Sequence, residues 1–145
     1  MKQTISSLEE LHAFAEEVVA NLKPHKESAV VFTLSGELGA GKTAFTKAIA
    51  HTFDVKNHVT SPTFVLAKKY TLVEKKFTTL VHIDAYRLEK GETLQTIGFE
   101  ELVSDPTNLI ILEWPERVCD EIPEHAKAFH VEIGDNEARV ITYEQ

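Results

Sequence analysis

Arginine is scarce in this chain. Only Arg87, Arg117 and Arg139 occur among its 145 residues, and acidic residues outnumber basic ones to leave a net charge of −8. A protein that grips nucleic acid through its phosphates needs a basic face, so tight direct binding of DNA or RNA is disfavoured. Cysteine is nearly absent: Cys119 is the sole thiol. It has no internal disulfide partner, which agrees with a reducing cytoplasm, and no neighbouring motif marks it as a nucleophile. No apolar run approaches the ~20 residues that span a bilayer, and the polar start Met1-Lys2-Gln3-Thr4 carries no secretory pattern. Repeats, linkers and low-complexity segments are missing too. The expectation is one cytoplasmic domain over residues 1–145 with no membrane association, in line with 43% apolar and 26% charged residues.

Against these absences stands one stretch of specific chemistry, Gly36-Glu37-Leu38-Gly39-Ala40-Gly41-Lys42-Thr43. It matches the phosphate-loop pattern G-x-x-x-x-G-K-[ST] at every fixed position. An apolar run precedes it at 29–34, and a helical pattern starts at Lys42. Glycines let the backbone curl around an anion so that successive N–H groups point inward, and the helix start adds partial positive charge. The loop predicts nucleotide contacts from Leu38, Gly39, Ala40, Gly41, Lys42 and Thr43. Lys42 reaches the β- and γ-phosphates, and the Thr43 hydroxyl ligates a bridging Mg²⁺.

The rest of the chain arranges itself around this loop. Ser7-Leu8-Glu9-Glu10 reads as a capping box, and Leu8, Leu11, Ala15, Val18 and Leu22 recur at helical spacing, predicting a helix over 7–23 ended by Pro24. The start of that helix is a candidate neighbour of the adenine as well as a packing face. Consecutive apolar residues at 29–34 suit a parallel strand covered on both faces. A second helix runs from Lys42 to near residue 53. The ten residues 54–63 can span up to ~33 Å, enough to return Thr63 to the loop as a γ-phosphate switch, although Ser61-Pro62-Thr63-Phe64 also fits a plain turn.

Residues 64–70 and 76–84 read as a hairpin whose lysines, Lys68, Lys69, Lys75 and Lys76, suit either a solvated strand edge or a partner-facing patch. Its second strand ends in Asp84, and the apolar run Asn108-Leu109-Ile110-Ile111-Leu112 ends in Glu113. Each acid suits the second element of a phosphate-loop site, one holding the metal and the other orienting water, and the spacing does not rank them. Residues 89–103 read as two short helical pieces broken at Gly98, followed after Glu113 by a short helix from Pro115 and a C-terminal hairpin turning at 134–136. Trp114 suits core packing or the wall of a nucleotide pocket. The predicted class is α/β, a three-layer P-loop NTPase-like fold with a mixed, largely parallel sheet.

Two further absences bear on function. No Asn-Lys-x-Asp motif reads guanine, which leaves ATP as the expected nucleotide. Too few arginines are present for the lid of a small-metabolite kinase, so slow hydrolysis completed by a partner fits better than phosphoryl transfer to a metabolite. A nucleotide-gated binding module without a hydrolytic role is the other alternative.

Gly36-Glu37-Leu38-Gly39-Ala40-Gly41-Lys42-Thr43, Ser61-Pro62-Thr63-Phe64, His82-Ile83-Asp84-Ala85-Tyr86-Arg87-Leu88 and Glu113-Trp114-Pro115 together resemble, in order and spacing, the TsaE family. These are bacterial ATPases of tRNA threonylcarbamoyladenosine biosynthesis. The resemblance implies an ATP- and Mg²⁺-dependent subunit acting with the TsaB and TsaD proteins, meeting tRNA only through that complex and supporting repeated turnover. It implies phosphate contact by Lys42, magnesium ligation by Thr43 and Glu113, a switch threonine at Thr63 and an essential acid beside the attacking water at Asp84. It also implies that Trp114 lines the nucleotide site and, through Glu137-Ala138-Arg139-Val140, that Arg139 contacts ATP.

Overall fold

Strand β5, Asn108–Glu113, is buried at all six positions, because side chains alternating along a strand with helices on both faces have no solvent to meet. Leu109 and Ile111 pack to one side with Phe14, Phe32, Phe45 and Ile49, whereas Ile110 and Leu112 pack to the other with Val81, Ile83, Leu94 and Phe99. These two apolar layers hold the structure together. The fold is a computed structural model describing residues 1–55, 66–73, 75–89 and 91–144.

The remaining strands are β1 (Lys2–Ile5), β2 (Val30–Ser35), β3 (Ala67–Thr71), β4 (Thr79–Asp84), β6 (Lys127–Ile133) and β7 (Arg139–Tyr143). They join β5 in one seven-stranded sheet of order β1-β7-β6-β2-β5-β4-β3. The central strands β6, β2, β5 and β4 run parallel, and antiparallel strands close both flanks. The sheet is therefore mixed, as expected. Helices α1 (Leu8–Ala20) and α2 (Lys42–Thr52) cover one face, with Phe14 stacked on Phe45 at 5.6 Å. The short helix α3 (Phe99–Val103), preceded by Gly98 at φ +70°, helps to cover the other. Among the described residues no helix is long and apolar enough to cross a membrane.

Two differences from the sequence reading have physical causes. β1 carries no readable period, since three of its four residues are exposed and only Ile5 is buried; its partner β7 lies at the far end of the chain. Helix α1 starts as expected, with Ser7 Oγ accepting from Glu10 N at 3.1 Å and Glu10 Oε2 accepting from Ser6 N at 2.7 Å. However, it stops at Ala20 rather than 23. There Lys76, from the segment between β3 and β4, donates to the carbonyls of Val19, Ala20 and Leu22 at 3.0, 3.3 and 3.0 Å, so the helix ends on a tertiary contact ahead of Pro24.

That contact also bears on the lysine cluster. Lys76 caps α1, and Lys75 bonds Asp54 at 2.6 Å, so two of the four lysines serve the fold. Replacing Lys76 by methionine removes a cation and three hydrogen bonds at a helix C-terminus and is expected to cost about 1 kcal/mol. Lys75→Met removes a single exposed ion pair and is expected to cost less than about 0.5 kcal/mol. Urea unfolding midpoints of the two variants check the order.

Candidate functional site

The loop between β2 and α2 takes its shape from close backbone packing. Gly36 has φ +140°, and a Cβ built there would lie 2.1 Å from the Val131 carbonyl oxygen of β6, so no larger residue fits. Gly41, at φ +110°, precedes the eleven-residue α2 without a side-chain cap. Ala40 is buried and holds the loop down, while Leu38 at its tip is 76% exposed. An uncapped helix start behind a glycine turn is geometry that suits an anion.

The two helix residues that follow have different partners. Lys42 is only 5% exposed and donates to the loop's own carbonyls, Gly36 O at 2.6 Å and Glu37 O at 2.9 Å. Its Nζ also lies 4.2 Å from the centre of the Trp114 ring. Burial pushes the ammonium below its ordinary pKa, against the opposing charges of Glu113, Glu116 and Asp84. Thr43 Oγ1 donates to Glu113, 3.3 Å from one carboxylate oxygen and 3.4 Å from the other.

Both strand-end acids reach this region. Asp84 and Glu113 are register partners at the carboxyl ends of the neighbouring strands β4 and β5, and are 5% and 3% exposed. Glu113 Oε2 is hydrogen-bonded by His82 Nε2 from within β4. Asp84 Oδ1 accepts from Tyr86 N at 3.1 Å, starting a 3-10 turn, with Arg87 Nε 4.0 Å from Oδ2. Two buried carboxylates and a hydroxyl, all hard oxygen donors, thus lie next to the loop.

Trp114 leaves β5 in the left-handed region, φ +63°, with its N–H on Leu34 O at 3.1 Å. That turn lays its indole over Lys42 and 4.9 Å from the Tyr86 ring, which in turn carries Arg117 at 4.7 Å. Arg139 begins β7, donates from Nη1 to Glu137 O at 2.7 Å, and passes beside Gly41, where an added Cβ would lie 3.7 Å from its Nε. Next to the loop, a cavity of about 570 Å³ opens between the start of α1 and the C-terminal hairpin, with Ile5, Ser7, Leu8, Leu11, Gly41 and Arg139 in its wall.

The structure thus brings Leu38, Gly39, Ala40, Gly41, Lys42, Thr43, Asp84, Glu113 and Trp114 to one end of the sheet, with Arg139 at its margin. Thr63, the expected switch residue, lies outside the described residues. Sequence reasoning gave His82 no role of its own and missed β1 in the cavity wall, whereas the start of α1, read as a candidate neighbour of the adenine, does lie beside the loop.

Known proteins share this sequence pattern and this fold. Residues 5–141 match the family model described as "Threonylcarbamoyl adenosine biosynthesis protein TsaE". The chain is 37% identical over 116 residues to the tRNA threonylcarbamoyladenosine biosynthesis protein TsaE of Treponema pallidum, covering 80% of this chain and 82% of that protein. It is 35% identical over 138 residues to the protein of the same description from Rickettsia prowazekii, covering 94% and 90%. The crystal structure of Bacillus subtilis YdiB superposes with a TM-score of 0.77 at 26% identity, over 99% of this chain and 83% of that one.

The burial of Glu113 has a consequence for stability. Glu113→Ala leaves the wholly buried His82 without its acceptor and is expected to cost about 3 kcal/mol, whereas Glu113→Gln keeps an accepting oxygen and is expected to cost about 1 kcal/mol. Chemical denaturation without nucleotide or metal measures both.

Proposed function

The chain belongs to the TsaE family, and from that premise we propose that it is a Mg²⁺-dependent ATPase subunit acting in the cytoplasm with the TsaB and TsaD proteins. In this reading it supports repeated rounds of threonylcarbamoyl transfer to the adenosine beside the anticodon of tRNA, meeting tRNA only through its partners. The observation that carries the proposal is the hydrogen bond from Thr43, first hydroxyl of the phosphate-loop helix, to Glu113, buried at the tip of the adjoining strand. A hydroxyl and a carboxylate are oxygen donors of the kind Mg²⁺ takes, with phosphates and water completing its shell.

Each residue then has a task. The loop N–H groups from Leu38 to Thr43 hold the phosphates, and Lys42 exchanges its bonds to Gly36 and Glu37 for phosphate oxygens. Thr43 and Glu113 hold the cation, which when bound neutralises charge building on the transferring phosphoryl group. Asp84 orients the attacking water, and Thr63 is assigned the part of the switch threonine. Trp114 walls the phosphate side. Arg139 and the neighbouring cavity receive the nucleoside, with the apolar side chains of Leu8 and Leu11 available to the base. Among the described residues all three arginines already have contacts, with Asp84, the Tyr86 ring and the Glu137 carbonyl, and none sits on a lid. That supports hydrolysis over phosphoryl transfer to a metabolite.

Lys42→Ala is expected to lower hydrolysis at least ~100-fold, the scale of one lost preorganised charge contact. Phosphate release with purified TsaB and TsaD present measures it, and an unchanged rate rejects the reading. Modification of tRNA over many turnovers with ATP and with a non-hydrolysable analogue then separates hydrolysis from gating: equal yields make this chain a nucleotide-gated module. Because Lys42 covers the ring of the chain's single tryptophan, saturating ADP is expected to change Trp114 emission. An unaltered spectrum, with binding confirmed by calorimetry, shows that Lys42 stays where it is.

A further inference from the structure

We propose that His82 is a positioning residue for Glu113, holding one carboxylate oxygen so that the carboxylate keeps a single orientation toward Thr43 and the cation; this rests on the reading of Thr43 and Glu113 as the cation-holding pair. Along β4, Leu80, His82 and Asp84 share a face by strand alternation, and the same holds for Leu109, Ile111 and Glu113 along β5. Leu80, Leu109 and Ile111 on these faces belong to the apolar layer under α1 and α2. His82 stands in a row of core positions, is 0% exposed, and replaces what packing alone would fill with an aliphatic side chain.

The geometry explains why an imidazole is there. His82 Nε2 bonds Glu113 Oε2, and Nδ1 is buried with no hydrogen-bond partner. A proton on Nδ1 would be stranded without an acceptor, so the ring proton sits on Nε2 and His82 is the donor. The last torsion of a glutamate is broad and two-fold, so a carboxylate held only by a hydroxyl nearly equidistant from its two oxygens has no fixed orientation. The bond from His82 removes that freedom. It acts from the strand side while Thr43 acts from the helix side, the arrangement by which residues one layer out orient the groups that touch a metal.

The discriminating pair of variants is His82→Gln and His82→Asn. Both keep a polar amide at a buried site, but the longer glutamine places its N–H₂ where Nε2 was and the shorter asparagine does not. The readout is the Mn²⁺ affinity of the ADP-saturated protein, followed by loss of the free Mn²⁺ electron paramagnetic resonance signal and normalised to ADP affinity in chelator. His82→Asn is expected to weaken Mn²⁺ binding at least ~10-fold and His82→Gln by no more than about 3-fold, the range set by loss or retention of such an orienting contact. Wild-type Mn²⁺ affinity in His82→Asn overturns the proposal. An equal loss in both variants also overturns it, since that is what a purely structural histidine produces. Thr43→Ala and Glu113→Gln in the same titration keep the premise separate: if neither changes Mn²⁺ affinity, the reading of that pair as the cation site fails, and the role of His82 fails with it.

Discussion

A carboxylate removed from water must be bonded from more than one direction, and Glu113 is the point where that requirement ties the fold together. Its oxygens meet His82 from β4 and Thr43 from α2. Its backbone lies in register with Leu34 of β2 and Asp84 of β4. The strand that leads into the glycine loop, the helix that follows the loop and the strand that supplies the second acid are therefore joined through one residue. Burying that group without a function would cost stability, since a packed aliphatic residue at the same place is usually as good or better. The arrangement fits a site built to receive a cation.

The basic side of the site is also built from internal contacts. Lys42 rests on two carbonyls of its own loop and against the Trp114 face, so its charge is satisfied before any phosphate arrives. Trp114 can lie there because the chain turns through the left-handed region at the end of β5, immediately before Pro115. From the loop to the surface, the Trp114 and Tyr86 rings lie in contact with each other between the cations of Lys42 and Arg117.

Much of this was legible residue by residue. The phosphate loop announces itself because its backbone needs glycine at fixed places and its chemistry needs lysine and a hydroxyl next to them. β2 and β5 are readable because strands covered on both faces are apolar at consecutive positions, and the start of α1 because its cap is local. β1 was not readable: four residues with one buried side chain carry no period, and they are ordered by β7, which the chain reaches only at its end. The end of α1 was misjudged for the same reason, since Lys76 supplies its cap from more than fifty residues away.

The two acids make the division plain. Both Asp84 and Glu113 end apolar runs, so composition and spacing marked each as a candidate without choosing which one the Thr43 hydroxyl would meet. The order β2-β5-β4 makes that choice by inserting β5 between the loop strand and β4, which puts Glu113 next to Thr43 and Asp84 one strand further out. It also brings His82 against Glu113 and sets the start of α1 beside Arg139 around a cavity. Backbone conformation and side-chain chemistry over a few residues are encoded where they occur. Adjacency across a sheet depends on pairing energies summed over strands far apart in the chain, and no single stretch of sequence carries it.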